Sequence, residues 1–211
     1  MNRFALAVLA VILPSVALAM DAVLSKVSGP VSVLAAGSRR FVAAKGGEEL
    51  IFGDTIRVGK GGIAHLTLSE RGAVLLRDET VLTLQGSASK TMLSFKFGEF
   101  LIGLRKQLQP GQSFKVRTPA AVAAVRGTLF WGKSDKADQS TAYAGFGHTV
   151  AVTAKDRTVL VTPGRTVTVA FGEAPRDPVA SAVGLEYAAN FAIDGSVQDL
   201  GALAETDKLK K

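Results

Sequence analysis

This chain has few residues of the types that usually bind metals or act as nucleophiles, and their spacing matches no known metal-binding motif. Histidine occurs only twice, at His65 and His148, and cysteine is absent. The two histidines are far apart and neither has a metal-binding neighbour at H-x-H or E-x-x-H spacing, so a zinc centre is not indicated. Without cysteine, thiol, disulfide and Fe–S chemistry are excluded. We therefore predict a protein that is not an enzyme and holds neither a metal nor a cofactor.

Carboxylates and glycines offer two further candidates for chemistry. Acidic pairs occur at Glu48-Glu49 and at Asp78-Glu79, both in apparent turns, where solvated charge is the usual role. The run Gly59–Gly62 has the composition of a phosphate-binding loop. It lacks the G-x-x-x-x-G-K-[ST] spacing and a following helix, so we interpret it as a turn. A hydrolase would need convergent carboxylates that the sequence alone does not indicate.

The first residues have the pattern of an export signal. Arg3 is followed by the uncharged run Phe4–Leu13, then by Pro14 and by the small residues of Ala17–Ala19. The run has the length of a signal-peptide core and is too short to span a bilayer. We predict a signal peptide at residues 1–19, cleaved after Ala19, and a periplasmic or secreted product with no later membrane span.

The rest of the chain is long enough for one domain with a substantial core. It has 211 residues, of which 47% are hydrophobic and 20% charged. Apolar and polar residues alternate in short segments such as Ile63–Leu68, Leu93–Phe97 and Phe114–Arg117, and glycine-containing turns separate these segments. Alternation of this kind is typical of strands with one buried face. We predict an all-β domain at residues 20–172, either a two-sheet sandwich or a short β-solenoid-like roll.

A different pattern begins after Phe171. Asp177-Pro178 is typical of a helix start, and apolar residues then recur every four positions: Val179, Val183, Tyr187 and Phe191. We predict a helical or partly disordered extension at residues 173–211 that packs on the β domain.

Three motifs, in order, carry a resemblance to a known family. The first is the G-x-V-x-V strand that begins at Gly29, and the second is L-x-x-G-D-x-I-x-x-G, with Gly53, Asp54 and Gly59. The third and most specific is F-x-V-x-T-P followed by A-x-R-G-T-x-F, which contains these residues: Thr118, Pro119, Arg126, Gly127, Thr128 and Phe130. Together they resemble the FecR-type domain over about residues 27–164.

The resemblance implies an extracytoplasmic all-β module without enzymatic activity. Members of this family include periplasmic parts of sigma-factor regulators that respond to iron-siderophore receptors. Those regulators have a cytoplasmic anti-sigma segment and a membrane span, which the present sequence does not display. The resemblance therefore implies the fold and an interaction role in the periplasm, and a signalling role through a separate membrane partner is the alternative.

The signature residues also have a physical interpretation as structure. Gly53 and Asp54 suit a turn in which the Asp side chain accepts from backbone N–H groups two residues further on. Thr118-Pro119 would end a strand because proline cannot donate to a ladder. Gly127 inside a strand suggests a bulge, and Arg126 could hold the turn through Asp54 or through backbone carbonyls. A direct ligand role for Arg126 is the minor alternative.

Partner binding has three candidates, Trp131, Arg117 and Arg126. Trp131 follows Phe130, so the two side chains face opposite sides of their strand. One of them must point away from the core unless both faces are covered. We expect the C-terminal helix to cover Trp131, and otherwise Trp131 would be an exposed anchor for a partner.

The net charge of +7 raises the question of an anionic partner. The cations are scattered along the strands, and they include Arg39, Arg40, Lys45, Arg57, Lys60, Arg105, Lys106, Lys115, Arg117, Lys133 and Lys136. An exported protein meets little nucleic acid, so an acidic protein, lipopolysaccharide or another anionic glycan is the better match. A basic surface that only aids solubility is the simplest interpretation. The oligomeric state is not indicated.

Overall fold

The structure, a computed structural model, describes residues 21–69, 71–105, 107–125, 127, 129–181 and 183. All regular structure in this part of the chain is β-strand, so the predicted all-β class is confirmed. The leader predicted at residues 1–19 lies outside the described residues. The strands are β1 (Ala22–Ser28), β2 (Val31–Leu34), β3 (Val42–Ala43), β4 (Glu48–Leu50), β5 (Thr55–Val58), β6 (Ile63–Leu68), β7 (Gly72–Leu76), β8 (Thr80–Gly86), β9 (Lys90–Leu104), β10 (Ser113–Arg117), β11 (Val122–Val125), β12 (Leu129–Ser134), β13 (Thr141–Gly145), β14 (Val150–Ala154), β15 (Arg157–Val161), β16 (Arg165–Val169) and β17 (Val179–Ala180).

The strands form two sheets that share the long strand β9. Sheet A has the order β4–β1–β6–β7–β9–β12–β13–β16–β17. Sheet B has the order β3–β2–β5–β8–β9–β10–β11–β14–β15. Among these pairings only β9–β10 is parallel. The two-sheet sandwich is therefore the arrangement that forms, rather than the solenoid-like roll.

Strand β9 changes sheets at Gly98. Its first half pairs with β8 and β10 in sheet B, and the half from Gly98 onward pairs with β12 and β7 in sheet A. Gly98 has a φ of 115°, and a Cβ added there would lie 2.2 Å from the Thr80 hydroxyl oxygen. Because no other residue fits that conformation and that space, glycine is required where the two sheets diverge.

The main core lies between the two sheets and is built by the alternation that the sequence predicts. Ile56, Leu82 and Phe95 of sheet B and Phe100 and Phe130 of sheet A are at most 2% exposed. The rings of Phe95 and Phe100 stack at a centroid distance of 4.0 Å, which joins the two halves of β9 across the interface. Aromatic contacts of this kind add to the free energy gained from burying apolar area.

The structure corrects the predicted start of the C-terminal helix. Val179 and Ala180 form β17, which pairs with Arg165 and Thr166 of β16, and Val179 is 59% exposed. Asp177 is paired with Arg157 of β15 rather than placed at a helix N-terminus. The four-residue spacing was misleading here because an edge strand and an amphipathic helix can share a few apolar positions. Tyr187 and Phe191 lie outside the described residues.

Candidate interaction site

The Gly53-Asp54 motif builds a turn, as predicted, but the Asp54 carboxylate accepts from N–H groups that precede it in the chain and not from those two residues further on. Asp54 is 5% exposed. Its Oδ1 accepts from the Ala36 N–H at 2.8 Å, and its Oδ2 accepts from the Ile51 N–H at 3.0 Å. Both carboxylate oxygens are thus used to fix the β2–β3 loop and the β4–β5 loop. Asp54 therefore acts as a structural residue in the described part of the chain.

The glycines of the first two motifs hold another turn against Pro30. The Gly59 N–H donates to the Pro30 carbonyl at 2.7 Å, and a Cβ on Gly59 would lie 3.1 Å from the Pro30 ring. Gly29 has a φ of 70°. The run Gly59–Gly62 is therefore a packed turn, which agrees with its interpretation from the sequence.

Thr118 ends β10 and ties the two sheets together. Its hydroxyl lies 3.0 Å from the Tyr143 hydroxyl and accepts from the Thr141 hydroxyl at 2.9 Å. Thr118 also caps its own turn, since its Oγ1 accepts from the Ala121 N–H at 3.3 Å. Pro119 lies in this turn, after the strand has ended. Burial raises the pKa of Tyr143, and the hydrogen bond to Thr118 offsets part of that rise.

The remaining signature residues divide into three groups. Phe130 lies in the main core. Gly127 has a φ of 130° and lies between β11 and β12, so it separates two strands and is not the bulge within a strand that the sequence suggested. Arg126 and Thr128 lie outside the described residues, and the structural role predicted for Arg126 stays a prediction.

Trp131 belongs to a second apolar cluster, on the face of sheet A that points away from the main core. We call this the outer cluster, and its buried members are Ala73, Leu75, Leu101, Leu129, Trp131, Ala144 and Phe146. Trp131 is only 8% exposed, and its Nε1 donates to Glu99 Oε1 at 2.9 Å. Trp131 is therefore not an exposed anchor in this structure. Val183 is partly buried and packs against the outer cluster.

The other residues singled out from the sequence lie apart from Trp131. Arg117 is exposed at the end of β10 in sheet B, so the structure does not bring it together with Trp131. His65 is half-buried on β6, opposite the core residues Ala64 and Leu66, and His148 is exposed in a bend. In the described part of the chain, no group of histidine, aspartate and glutamate side chains is arranged to hold a metal ion.

The structure brings together residues that are far apart in the sequence to form a basic cleft on the outer face of sheet B. We define the basic cleft by its lining residues: Arg57, Val58, Gly59, Lys60, Glu79, Val81, Lys96, Phe97 and Lys136. Its volume is about 340 Å³. Arg57, Val81 and Phe97 are direct cross-strand neighbours on β5, β8 and β9 and form one row across the sheet. Lys60 comes from the β5–β6 turn and Lys136 from the β12–β13 loop.

A β-bulge at Lys96 places Phe97 in this cleft. Leu82 pairs with Phe95, whereas its neighbour Val81 pairs with Phe97, so β9 has one extra residue against β8. An extra residue reverses the faces of the side chains that follow it. Phe95 therefore points into the core while Phe97 points outward, although uninterrupted alternation over Leu93–Phe97 would put both inside. The strand pattern predicted from the sequence is wrong at Phe97 for this reason.

Two of the four cations of the basic cleft lie over aromatic rings. The Arg57 guanidinium lies 3.7 Å from the centroid of the Phe41 ring, and Lys136 Nζ lies 5.2 Å from that of Phe97. Among the described residues, the one ion pair within 4 Å joins Arg157 and Asp177, remote from the cleft. The charges of Arg57, Lys60, Lys96 and Lys136 are thus left available to an anionic group from outside.

An acidic cleft adjoins the basic one. Its lining residues are Asp78, Glu79, Gly98, Glu99, Lys133, Ser134, Asp135 and Lys136, and its volume is about 300 Å³. Glu79 and Lys136 line both clefts and mark the boundary between them. The arrangement can bind charged groups by electrostatics, and it offers an apolar floor of Val81 and Phe97 to a neighbouring side chain.

Comparison with known proteins agrees with this architecture. A family model described as "FecR protein" matches residues 54–152, from the buried Asp54 to β14. This stretch of the chain is therefore similar to the FecR family. No curated protein sequence matches this chain. No helix in the described part of the chain is long and apolar enough to cross a membrane.

Two solved structures share the fold. They are crystal structures, at 2.50 and 1.65 Å resolution, each of a candidate anti-sigma factor from Parabacteroides distasonis. Each matches with a TM-score of 0.53 and 21% sequence identity, over 60% of this chain and 59% of the solved chain. This chain thus spans less than two thirds of those proteins, and the likeness concerns the fold.

Proposed function

We propose that this chain is an exported regulatory module of the FecR type that acts by binding a protein partner in the periplasm. The observation that carries the proposal is the basic cleft, with four cationic side chains and no carboxylate within ion-pair distance of them among the described residues. A cleft with an excess of one charge, here four cations against Glu79, attracts an oppositely charged partner and raises its association rate. The FecR-family match and the fold shared with candidate anti-sigma factors support the regulatory part of the proposal.

The location is part of the proposal and rests on the leader. Arg3, the uncharged run Phe4–Leu13 and the small residues before Met20 have the pattern of a cleaved signal peptide. Expression of the full chain should yield a periplasmic product whose N-terminus is Met20. Retention of the leader in a membrane fraction would contradict the periplasmic part of the proposal.

A non-enzymatic role agrees with how the signature residues are used. The side-chain oxygens of Asp54 and Thr118 form hydrogen bonds with backbone N–H groups, and that of Thr118 also bonds to a hydroxyl between the two sheets. A group that takes part in a reaction must have an atom free to face a substrate. The residues that carry the family resemblance therefore support the scaffold, and we place binding on the surface around it.

Site-specific crosslinking in intact cells tests the proposal. A photoreactive phenylalanine analogue at Phe97 should give protein adducts, and these should be reduced by Lys96→Glu. The matched control Lys115→Glu makes the same charge change at an exposed position of β10, outside the cleft, and should leave the adducts unchanged. The analogue at exposed Leu160 of β15 serves as a control position. Adducts that form equally from Leu160, or that ignore Lys96→Glu, would overturn the binding role of the cleft.

Binding of lipopolysaccharide or another anionic glycan is the second candidate. The same four cations favour it, because a polyanion is also drawn to a surface with excess positive charge. Binding of purified lipopolysaccharide should then weaken steeply with added salt, and Lys96→Glu should weaken it more than Lys115→Glu. Binding that is insensitive to salt would exclude this candidate.

A further inference from the structure

The basic and acidic clefts form one groove with opposite charges at its two ends. The basic end contributes Arg57, Lys60 and Lys96. The other end contributes three carboxylates, Asp78, Glu99 and Asp135, against one cation of its own, Lys133, so its excess charge is negative. Glu79 and Lys136 line both ends, so the two clefts adjoin. We call this surface the bipolar groove.

From this surface we propose that the bipolar groove binds an extended protein segment in which an acidic, aromatic-containing stretch adjoins a basic one. This inference rests on the proposed function and names the chemistry of its partner. The acidic stretch would face Arg57, Lys60 and Lys96, and the basic stretch would face the carboxylates of Asp78 and Asp135. Complementary charges at two places fix the direction in which the segment lies and reject partners of the wrong pattern.

The acidic end argues against a uniform polyanion. A glycan or lipid with repeated negative groups that filled the basic end would bring its next charges beside Asp78, Asp135 and Glu99. Juxtaposed like charges oppose binding. A polypeptide can change the sign of its charge within a few residues, because an extended chain advances only about 3.3 Å per residue. The groove therefore favours a protein segment over an anionic polymer.

The floor of the basic end adds an apolar contact. Phe97 is half-buried and faces the groove because of the bulge at Lys96, and Val81 lies beside it. Bulges often re-aim a side chain at a functional site. An aromatic or aliphatic side chain of the partner, next to its acidic residue, would be covered by Phe97 and Val81 while its charge met Lys96 or Lys136. A surface with charged side chains alone would not provide both the apolar contact and the charge contact.

Three probes of defined chemistry test the inference on the mature full-length chain. The first is a synthetic peptide of about ten residues, roughly 33 Å when extended, with an acidic phenylalanine-containing half and a lysine half. The second is an all-acidic peptide of equal length, and the third is purified lipopolysaccharide. We expect the mixed-charge peptide to bind at least about tenfold more tightly than the all-acidic one, since it satisfies both ends.

Charge reversal at each end identifies the contacts. Lys96→Glu should weaken both peptides by about tenfold, because it removes one favourable charge contact and adds a repulsion. Asp78→Lys should weaken the mixed-charge peptide and strengthen the all-acidic one. Lys115→Glu should change neither by more than about twofold, since it lies outside the groove.

The outcomes separate this inference from the proposed function. If the all-acidic peptide or lipopolysaccharide binds as tightly as the mixed peptide, and Asp78→Lys leaves the mixed peptide unaffected, the bipolar groove is overturned while an anion-binding cleft remains. If no probe responds to Lys96→Glu more than to Lys115→Glu, the cleft itself is not a binding site and both proposals are wrong. Unchanged melting temperatures of the variants show that the comparison concerns binding.

Discussion

The hydroxyl of Thr118 and the hydroxyl of Tyr143 share a hydrogen bond of 3.0 Å between the two sheets. Thr118 follows β10 of sheet B, and Tyr143 lies in β13 of sheet A, where it is fully buried. The Thr141 hydroxyl donates to Thr118 at 2.9 Å, and Tyr143 also reaches the Ala121 carbonyl at 3.4 Å. A buried polar network of this kind fixes the relative position of the sheets, because a shift would leave hydroxyl groups without partners.

Thr118→Val should destabilise the protein by about 1–3 kcal/mol. The substitution keeps the volume but leaves the Tyr143 and Thr141 hydroxyls and the Ala121 N–H without the oxygen that they share. The melting temperature should fall by roughly 2–4 °C per kcal/mol for a chain of this size. Thr118→Ser restores the hydroxyl and should recover most of the loss. A Thr118→Val variant as stable as the parent would show that the network contributes nothing.

Tyr143 should make the stability fall at alkaline pH. Burial raises the pKa of Tyr143, so the phenol stays protonated in the folded chain after a solvated tyrosine, with a pKa of about 10, has ionised. The unfolded state then binds fewer protons than the folded one, and the free energy of unfolding decreases as the pH rises above about 10, by up to about 1.4 kcal/mol per pH unit. Chemical denaturation at several pH values measures this slope.

Tyr143→Phe isolates the effect of that phenol. The variant loses a hydrogen bond at neutral pH, but its stability above pH 10 should decline less steeply than that of the parent. Tyr187→Phe removes the other tyrosine and serves as the control. Equal alkaline slopes for the parent and for Tyr143→Phe would contradict a raised pKa at Tyr143.

Asp54→Ala should destabilise the β5 turn by about 2–3 kcal/mol. The substitution removes both oxygens that accept from the Ala36 and Ile51 N–H groups, in a place where water has little access. Asp156→Ala in the exposed β14–β15 turn is the matched control and should change the stability by less than about 0.5 kcal/mol. Denaturant unfolding of both variants makes the comparison. Similar losses at the two positions would mean that burial of Asp54 adds nothing to its role.

The sequence predicted those features of the fold that depend on local patterns, namely the strands and the turns. Period-2 alternation in Ile63–Leu68 and Phe114–Arg117 places apolar residues on one face, and those residues form the main core. The Gly53-Asp54 and Thr118-Pro119 motifs predicted turns because their backbone preferences are local. Residues 54–152 then match the family that the motifs resemble.

The candidate site was beyond the sequence because it depends on strand order and on one bulge. The cations of the cleft are far apart in the sequence: Arg57, Lys60, Lys96 and Lys136. They meet only because β5, β8 and β9 are adjacent in the sheet and the β12–β13 loop lies beside them. Phe97 was expected inside, since nothing in the residues around Lys96 distinguishes a bulge from regular alternation. The β17 strand was misjudged as helix because its two residues are too few to show a period of two.

Trp131 offers a direct test of what covers the outer cluster. The buried residues of the outer cluster lie on β7, β9, β12 and β13, except Phe146, which follows β13. Val183 is the last described residue that packs against them. We expect residues 184–211 to cover this face, with Tyr187 and Phe191, the last two residues of the predicted stripe, packing beside Val183. Removal of residues 184–211 should then expose Trp131, shift its fluorescence to longer wavelength and lower the melting temperature. Because Trp131 is the only tryptophan, the signal has one source.

A second variant separates exposure of the indole ring from loss of its hydrogen bond. Glu99→Gln keeps an acceptor for Trp131 Nε1 and removes the charge, so it should leave the emission wavelength close to that of the parent. Tyr187→Ala with Phe191→Ala in the full chain should reproduce much of the truncation shift, because these two side chains supply most of the apolar area of the predicted stripe. If the truncated chain keeps the emission of the parent, residues 184–211 do not cover Trp131, and the sheet face must be buried by another part of the protein.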